Sequence, residues 1–152
     1  MKLNYNFSYV YHKNLNKYNP ASVNWEKIKA HGKKFISEYK NTIEEILNII
    51  PKITEMDWKK NEIEVYFVSW KGPSFSKPLT LKVRKDMLLM LTILTHELLH
   101  NILEDKKSGI VLEKEIKNYV VKVFNKLNID IDKQIKQMEE FSEINNRLLE
   151  QK

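Results

Sequence analysis

Near the start of the chain Leu3, Tyr5, Phe7, Tyr9 and Tyr11 alternate with polar residues, a period of two that predicts a half-buried strand. The run NPASVN breaks it. From about Ser22 to Ile50, Trp25, Ile28, Phe35, Ile36, Tyr39, Ile43, Ile46, Leu47 and Ile50 recur at helical spacing, with Gly32 placed to bend or divide the helix and Pro51 to stop it. The stretch EIEVYFVSW, Glu62 to Trp70, is rich in β-branched and aromatic residues and predicts a strand. KGPSFSKP reads as a turn-forming loop into a further strand, Leu79 to Val83, and these two strands are expected to pair.

Asp86 is a candidate N-cap for a helix running to Leu103. Apolar residues surround its axis on nearly every side, which assigns it to the interior of the fold. EDKKSG ends it, with Gly109 available for a left-handed turn. An amphipathic helix from about Val111 to Leu127 follows, then a last one from about Asp132 to Leu149 whose buried face would use Ile135, Met138, Phe141 and Leu148.

The 152 residues hold no internal repeat and no linker rich in Gly, Pro or Ser, so the expectation is one domain over 1–152. It divides into an N-terminal strand and helix (1–60), a central section with sheet and two helices (61–127) and a C-terminal helix (128–152). With 42% apolar residues such a domain can bury a sizeable core. No apolar run is long enough to cross a bilayer and the alternating N-terminal stretch lacks a signal-peptide block, which leads to the expectation of a soluble, cytoplasmic protein. The net charge of +6 comes almost wholly from lysine, since Arg84 and Arg147 are the only arginines. Nucleic-acid readers favour arginine, so the charge is read as a solvated surface more readily than as a nucleic-acid face.

Cysteine is absent, which excludes disulfide frameworks, thiolate metal sites and cysteine nucleophiles. Any metal must therefore use histidine and carboxylate. In LTHELLHNIL, His96, Glu97 and His100 form H-E-x-x-H, and residues four apart on a helix project from one face, so both imidazoles can reach one ion. The matching chemistry is a zinc ion with a water molecule, and Glu97 as the base that takes the water's proton. Random ordering of four histidines and fifteen glutamates over 152 residues writes this motif about 0.01 times, so chance explains it poorly. Burial adds to the contrast, because two histidines and a glutamate within an apolar helix need partners.

No histidine follows His100, so the third ligand must be a carboxylate. Glu104 continues the same row but lies about 12 Å from His96 along the axis, too far for a shared ion. A separate helix must supply it, and the sequence after Gly109 offers Glu113 and Glu115. The stripe made by Leu112, Ile116, Val120, Val123, Phe124 and Leu127 is centred near Ile116. Glu113 lies about 60° from that centre and Glu115 about 100°, so Glu113 is the first choice and Glu115 the alternative.

At these residues the chain resembles the gluzincin zinc peptidases, in which the H-E-x-x-H helix packs on a glutamate helix bearing the third ligand. It is most similar to their smallest members, the archaeal minigluzincins, and to a bacterial domain family that cleaves phage-type repressors. That family often shows E-x-x-A-N-x-F-A after its metal helix. In EKEIKNYV, Glu113 matches the ligand, Tyr119 the aromatic position and Val120 the small apolar one, while Ile116 and Lys117 depart from the pattern's Ala and Asn. An Asn there can orient a zinc histidine, a part that Asn101 or Asn118 would have to take over. The resemblance spans roughly Leu79 to Leu127.

The resemblance implies an α+β, zincin-like domain: a short, mostly antiparallel sheet packed on an active-site helix, a glutamate helix and further N- and C-terminal helices. It implies a zinc-dependent endopeptidase acting on a peptide or protein, with His96, His100 and Glu113 as ligands and Glu97 as general base. It also implies an edge strand, Glu62 to Trp70 or Leu79 to Val83, that pairs with extended substrate. Minigluzincins are known as latent forms whose own terminal segment fills the cleft, and here the N-terminal strand or the final helix could serve. Tyr119, His31 and His12 are conceivable oxyanion donors, and none is assigned. The competing reading is a non-catalytic regulatory or nucleic-acid-associated protein with a structural zinc site.

Overall fold

The computed structural model describes residues 1–17, 24–70, 72–103 and 109–150, with side chains only through 141 in the last helix. In chain order the elements are β1 (Lys2–Asn6), α1 (Tyr9–Asn16), α2 (Trp25–Thr54), β2 (Glu62–Val68), β3 (Phe75–Ser76), β4 (Leu79–Lys82), α3 (Met87–Leu103), α4 (Ile110–Lys126) and α5 (Asp132–Glu150). The chain is mixed α+β, five helices with a four-stranded sheet of order β1-β2-β4-β3. Among the described residues no helix is long and apolar enough to cross a membrane.

The sheet is mostly parallel, not mostly antiparallel: β1 and β4 both run parallel to β2, and only β3 and β4 form an antiparallel pair. The connections dictate this. Between β1 and β2 lie two helices, a crossover long enough to return the chain in the same direction. Between β2 and β4 the expected turn instead contains β3, which lies on the far side of β4, so the chain re-enters the sheet from outside and β4 aligns with β2. The pair expected between β2 and β4 does form, and the Val83 N–H extends it by donating to Val68 O at 2.8 Å.

The N-terminal strand is shorter than its alternating pattern predicts. It ends at Asn6, and the Ser8 hydroxyl accepts from the Tyr11 N–H at 3.2 Å, which turns Tyr9, Val10 and Tyr11 into the first turn of α1. The break at NPASVN falls largely on 18–23, outside the described residues.

Helix α2 is continuous through both predicted interruptions. Gly32 does not divide it; the site needs a residue without a side chain, because a Cβ there would lie 2.6 Å from Phe7 Cε1. The Phe7 ring occupies that space and stacks on Phe67 with centroids 5.0 Å apart. Pro51 lies inside the helix, which continues to Thr54. A proline cannot donate to the carbonyl four residues back. That carbonyl, Leu47 O, accepts the Trp58 indole N–H at 3.1 Å instead. The helix ends at Glu55, whose φ of 54° is left-handed.

Helix α3 lies at the centre, against α2, α4, α5, β3 and β4. Asp86 caps it as expected, its Oδ1 accepting from the Leu89 N–H at 2.9 Å. Met90, Leu91, Leu94, Leu98, Leu99 and Ile102 are completely or almost completely buried, and the hydroxyls of Thr92 and Thr95 are satisfied by Leu88 O and Leu91 O. One apolar core joins α3 to Phe35, Ile46 and Ile50 of α2, to Val65 and Phe67 of β2, to Leu79 and Leu81 of β4 and to Ile116, Val120 and Phe124 of α4.

Candidate metal centre

The second half of α3 carries His96, Glu97 and His100 on a helix otherwise packed with leucine and isoleucine. The neighbouring α4 begins at Gly109, whose φ of 69° and ψ of −147° define a conformation reserved for glycine. Gly109 thus opens α4. The residues between, 104–108, lie outside the described set, Glu104 among them. The first backbone hydrogen bond of α4, from the Glu113 N–H to Gly109 O, sets Glu113 in its first turn. Negative charge is favoured there by the helix dipole.

Packing of α3 on α4 brings three side chains together. His100 Nε2 lies 3.1 Å from His96 Nε2, Glu113 Oε1 lies 3.0 Å from His100 Nε2, and Glu113 Oε2 lies 3.4 Å from His96 Nε2. The histidine side chains are 16% and 20% exposed and that of Glu113 55%, so the carboxylate caps the imidazoles from the solvent side. The expectation that Glu113 faces the histidines holds, although it reaches them over the cleft rim and not through the core. Glu115 is outside this cluster.

The donor set suits a small divalent cation, and the three residues could hold a metal ion. Ligand atoms about 2.0 to 2.1 Å from a tetrahedral ion lie ~3.3 Å from one another. The two Nε2 atoms, 3.1 Å apart, are close to that spacing; Glu113 meets His100 with Oε1 and His96 with Oε2, and one ligand atom from each of the three residues lies within 4.8 Å of the others. Hydrogen bonds from His100 and then from His96 hold the Glu113 carboxyl far below the usual carboxylate range, against the effect of its burial. Burial pulls the His100 imidazole down, but the hydrogen bond and charge of Glu113, with the charge of Glu97, outweigh it and leave the pKa raised.

Glu97 is 8% exposed and lines the same cleft. Burial pushes its carboxyl up, the two histidines oppose that shift and Glu113 adds to it. A buried carboxylate with a raised pKa beside candidate ligands has the character of a proton acceptor. Asn101 does not orient a histidine. Its amide donates to Glu97 O at 2.9 Å and to Ser76 O at 3.2 Å, tying β3 to α3. Lys117, at the other departure from the expected pattern, forms an ion pair with Glu139 of α5.

The cleft has a volume of about 630 Å³. On one side it is bounded by His96, Glu97, Glu113 and the apolar Ile93 and Val120, and by Pro73 and Ser74 just before β3. The two strands proposed as substrate edges are both interior, β2 between β1 and β4, and β4 between β2 and β3. The edges are β1 and β3, and β3 is the one beside α3. On the other side stand Ile135, Met138, Glu139 and Phe141 of α5.

The predicted buried face of α5 is therefore only partly buried. Ile135 and Met138 are intermediate and Phe141 is 40% exposed, because they line a cleft and not a closed core. The Leu148 side chain lies outside the described residues. Contacts among the described residues that hold α5 across the opening include Gln134 Nε2 donating to Asp86 Oδ2 at 3.1 Å, Lys117 paired with Glu139, and the Arg84 guanidinium 4.8 Å from the Phe141 ring centroid. Arg84 carries no motif in the sequence, and its one signal there is that it is one of two arginines in a lysine-rich chain.

Two of the conceivable oxyanion donors are engaged elsewhere. His12 is buried against Trp25, its Nδ1 accepts from the Ser69 N–H at 3.3 Å, and burial lowers its pKa. His31 Nε2 donates to Arg84 O at 2.7 Å. Tyr119 is half-buried with the Lys122 ammonium 5.3 Å from its ring centroid.

Comparison with protein-family models, with curated proteins and with solved structures finds no match to this chain.

Proposed function

We propose that the chain is a zinc-dependent endopeptidase of the zincin type, with His96, His100 and Glu113 as ligands and Glu97 as general base, and that α5 keeps it latent. The observation that carries this reading is the convergence of the three ligand atoms, all within 4.8 Å of one another, at a cleft that a buried glutamate also lines. Zinc, when bound there, supplies Lewis-acid chemistry, making water more acidic and a peptide carbonyl more electrophilic.

The remaining steps belong to the chain's own residues. Glu97, desolvated and poised to accept a proton, takes one from a water molecule in the cleft as the water oxygen bonds to the peptide carbon. When the carbon–nitrogen bond breaks, Glu97 returns the proton to the departing amine. Ile93 and Val120 keep the surroundings apolar, which strengthens each charge interaction within the cleft. α5 stands where an extended substrate would enter, so turnover requires its displacement.

The test compares chelator-treated, zinc-reloaded and Glu97→Gln protein in peptide cleavage. Activity that returns with zinc and falls by about 10²- to 10⁴-fold in Glu97→Gln, with the metal retained, supports the reading. Equal activity with and without metal sinks it. A second reading, a metal clasp without turnover, draws on the origin of the ligands from two packed helices. It expects metal-dependent stability in wild type and Glu97→Gln alike, with cleavage by neither.

A further inference from the structure

Besides the candidate ligands, the cleft is lined with cations: Arg84 just after β4, and Lys114 and Lys117 on α4. Arg84 is the most constrained of them. Its Nε is buried without a hydrogen-bond partner, and among the described residues Arg84 forms no ion pair. Its guanidinium lies over the face of Phe141, 4.8 Å from the ring centroid. Lys82, two residues earlier and so on the same side of the extended chain, is partly buried near it; burial first, and then the charge of Arg84, lower the Lys82 pKa.

A guanidinium is a rigid fork of donors that fits a carboxylate in two parallel hydrogen bonds. A partly buried one with an orphan donor gains most from such a partner, because little water has to be displaced. α5 meets this wall of the cleft with Glu139 on Lys117 and, two residues on, Phe141 on Arg84. It satisfies one cation with a carboxylate and leaves the other with a ring. The segment Met138 to Phe141 thus presents an acidic side chain between two bulky apolar ones to the cleft.

Resting on the peptidase reading, we propose that Arg84, with Lys117 on α4, selects peptide substrates bearing an acidic side chain close to the scissile bond. Glu139 and Phe141 of α5 occupy the ground that such a substrate takes. Arg84 is then the specificity-determining residue of the cleft, and the acidic stretch of α5 is an internal competitor for it.

The test uses full-length, zinc-loaded wild type and the Glu139→Ala, Phe141→Ala double variant, in which α5 is loosened. Quenched fluorescent peptides differ in one residue, Glu, Gln or Lys, scanned over the positions flanking the cleaved bond. At one position Glu is expected to exceed Gln in kcat/KM by about tenfold or more, and Lys by more still. Arg84→Met is expected to remove that preference mainly through KM, and Arg84→Glu to turn it toward Lys. Lys117→Gln, at an exposed residue, weakens it partially should the Arg84 variants not fold. Equal kcat/KM for the Glu and Lys peptides at every position overturns the acidic-substrate proposal and leaves the peptidase reading standing. Cleavage of no peptide by either zinc-loaded protein overturns both.

Discussion

The Nε2 atoms of His96 and His100 lie 3.1 Å apart, and both face the carboxylate of Glu113 on the next helix. Two imidazoles and a carboxylate brought this close in a partly buried cleft could hold one divalent cation. One zinc per chain is the expected content of protein purified without a histidine tag, measured by elemental analysis. Glu113→Ala removes a direct ligand and should weaken binding by more than the ~10- to 100-fold that loss of an outer-shell partner costs. Glu115→Ala, outside the cluster, should bind as wild type does. No zinc in wild type supplied with the metal refutes the site.

Metal uptake should release protons, and the dependence on pH follows from the shifts. His100 has a raised pKa, so in metal-free protein it keeps its proton to a higher pH than a free imidazole. An ion can occupy its Nε2 only after that proton leaves. Affinity should therefore decrease, and proton release per ion increase, as pH falls through the raised His100 range. In the metal-free protein itself, the ion pair's stabilisation from the His100 side is present below the unfolded histidine pKa and lost as pH rises through the raised one. From the Glu113 side it is present above the unfolded carboxylate pKa and lost as pH falls through the depressed one. Calorimetric titration with zinc in two buffers of different ionisation enthalpy reads the released protons directly. Release that does not change as pH falls through the raised His100 range would contradict this coupling.

A separate prediction concerns the end of α2. Pro51 leaves Leu47 O without its helical donor, and the Trp58 indole supplies one. Trp58→Phe keeps most of the ring but loses this hydrogen bond, and should lower stability in urea unfolding by about 1 kcal/mol. In a Pro51→Ala background, where a backbone N–H is again available, the same substitution should cost clearly less. Equal cost in the two backgrounds would mean that the ring's packing, and not the carbonyl, makes Trp58 matter.

The cluster of His96, His100 and Glu113 was legible because its information is local. H-E-x-x-H needs only helical spacing, and the apolar stripe around Ile116 turned Glu113 toward α3. The Asp86 cap was legible for the same reason. The sheet's direction was not, because it hangs on β3, a strand of two residues that leaves no period to detect. Tyr9 and Tyr11 continue the alternation of β1 by coincidence, and the Ser8 cap overrides it. Ile135, Met138 and Phe141 make the same stripe whether a helix closes a core or roofs a cleft, so periodicity could not separate the two. Pro51 inside α2 was not legible from the helix alone, since the donor that meets Leu47 O, the Trp58 indole, lies outside it.

That ambiguity gives α5 its most direct test. The Lys117–Glu139 pair is about half exposed at both ends, and such a pair contributes at most ~1 kcal/mol. The contact of Arg84 with Phe141 is of similar size, about 0.5–1 kcal/mol where partly exposed. If α5 closes the cleft, each contact holds the closed state by a modest factor. Glu139→Ala and Phe141→Ala should then each raise cleavage by about two- to fivefold. Added salt should raise the wild-type rate, because it screens the ion pair, and should do less to Glu139→Ala. Steady-state cleavage of a small neutral peptide between 20 and 500 mM salt separates the outcomes. A lower rate in both variants would show that α5 is part of the substrate-binding wall and not its cover.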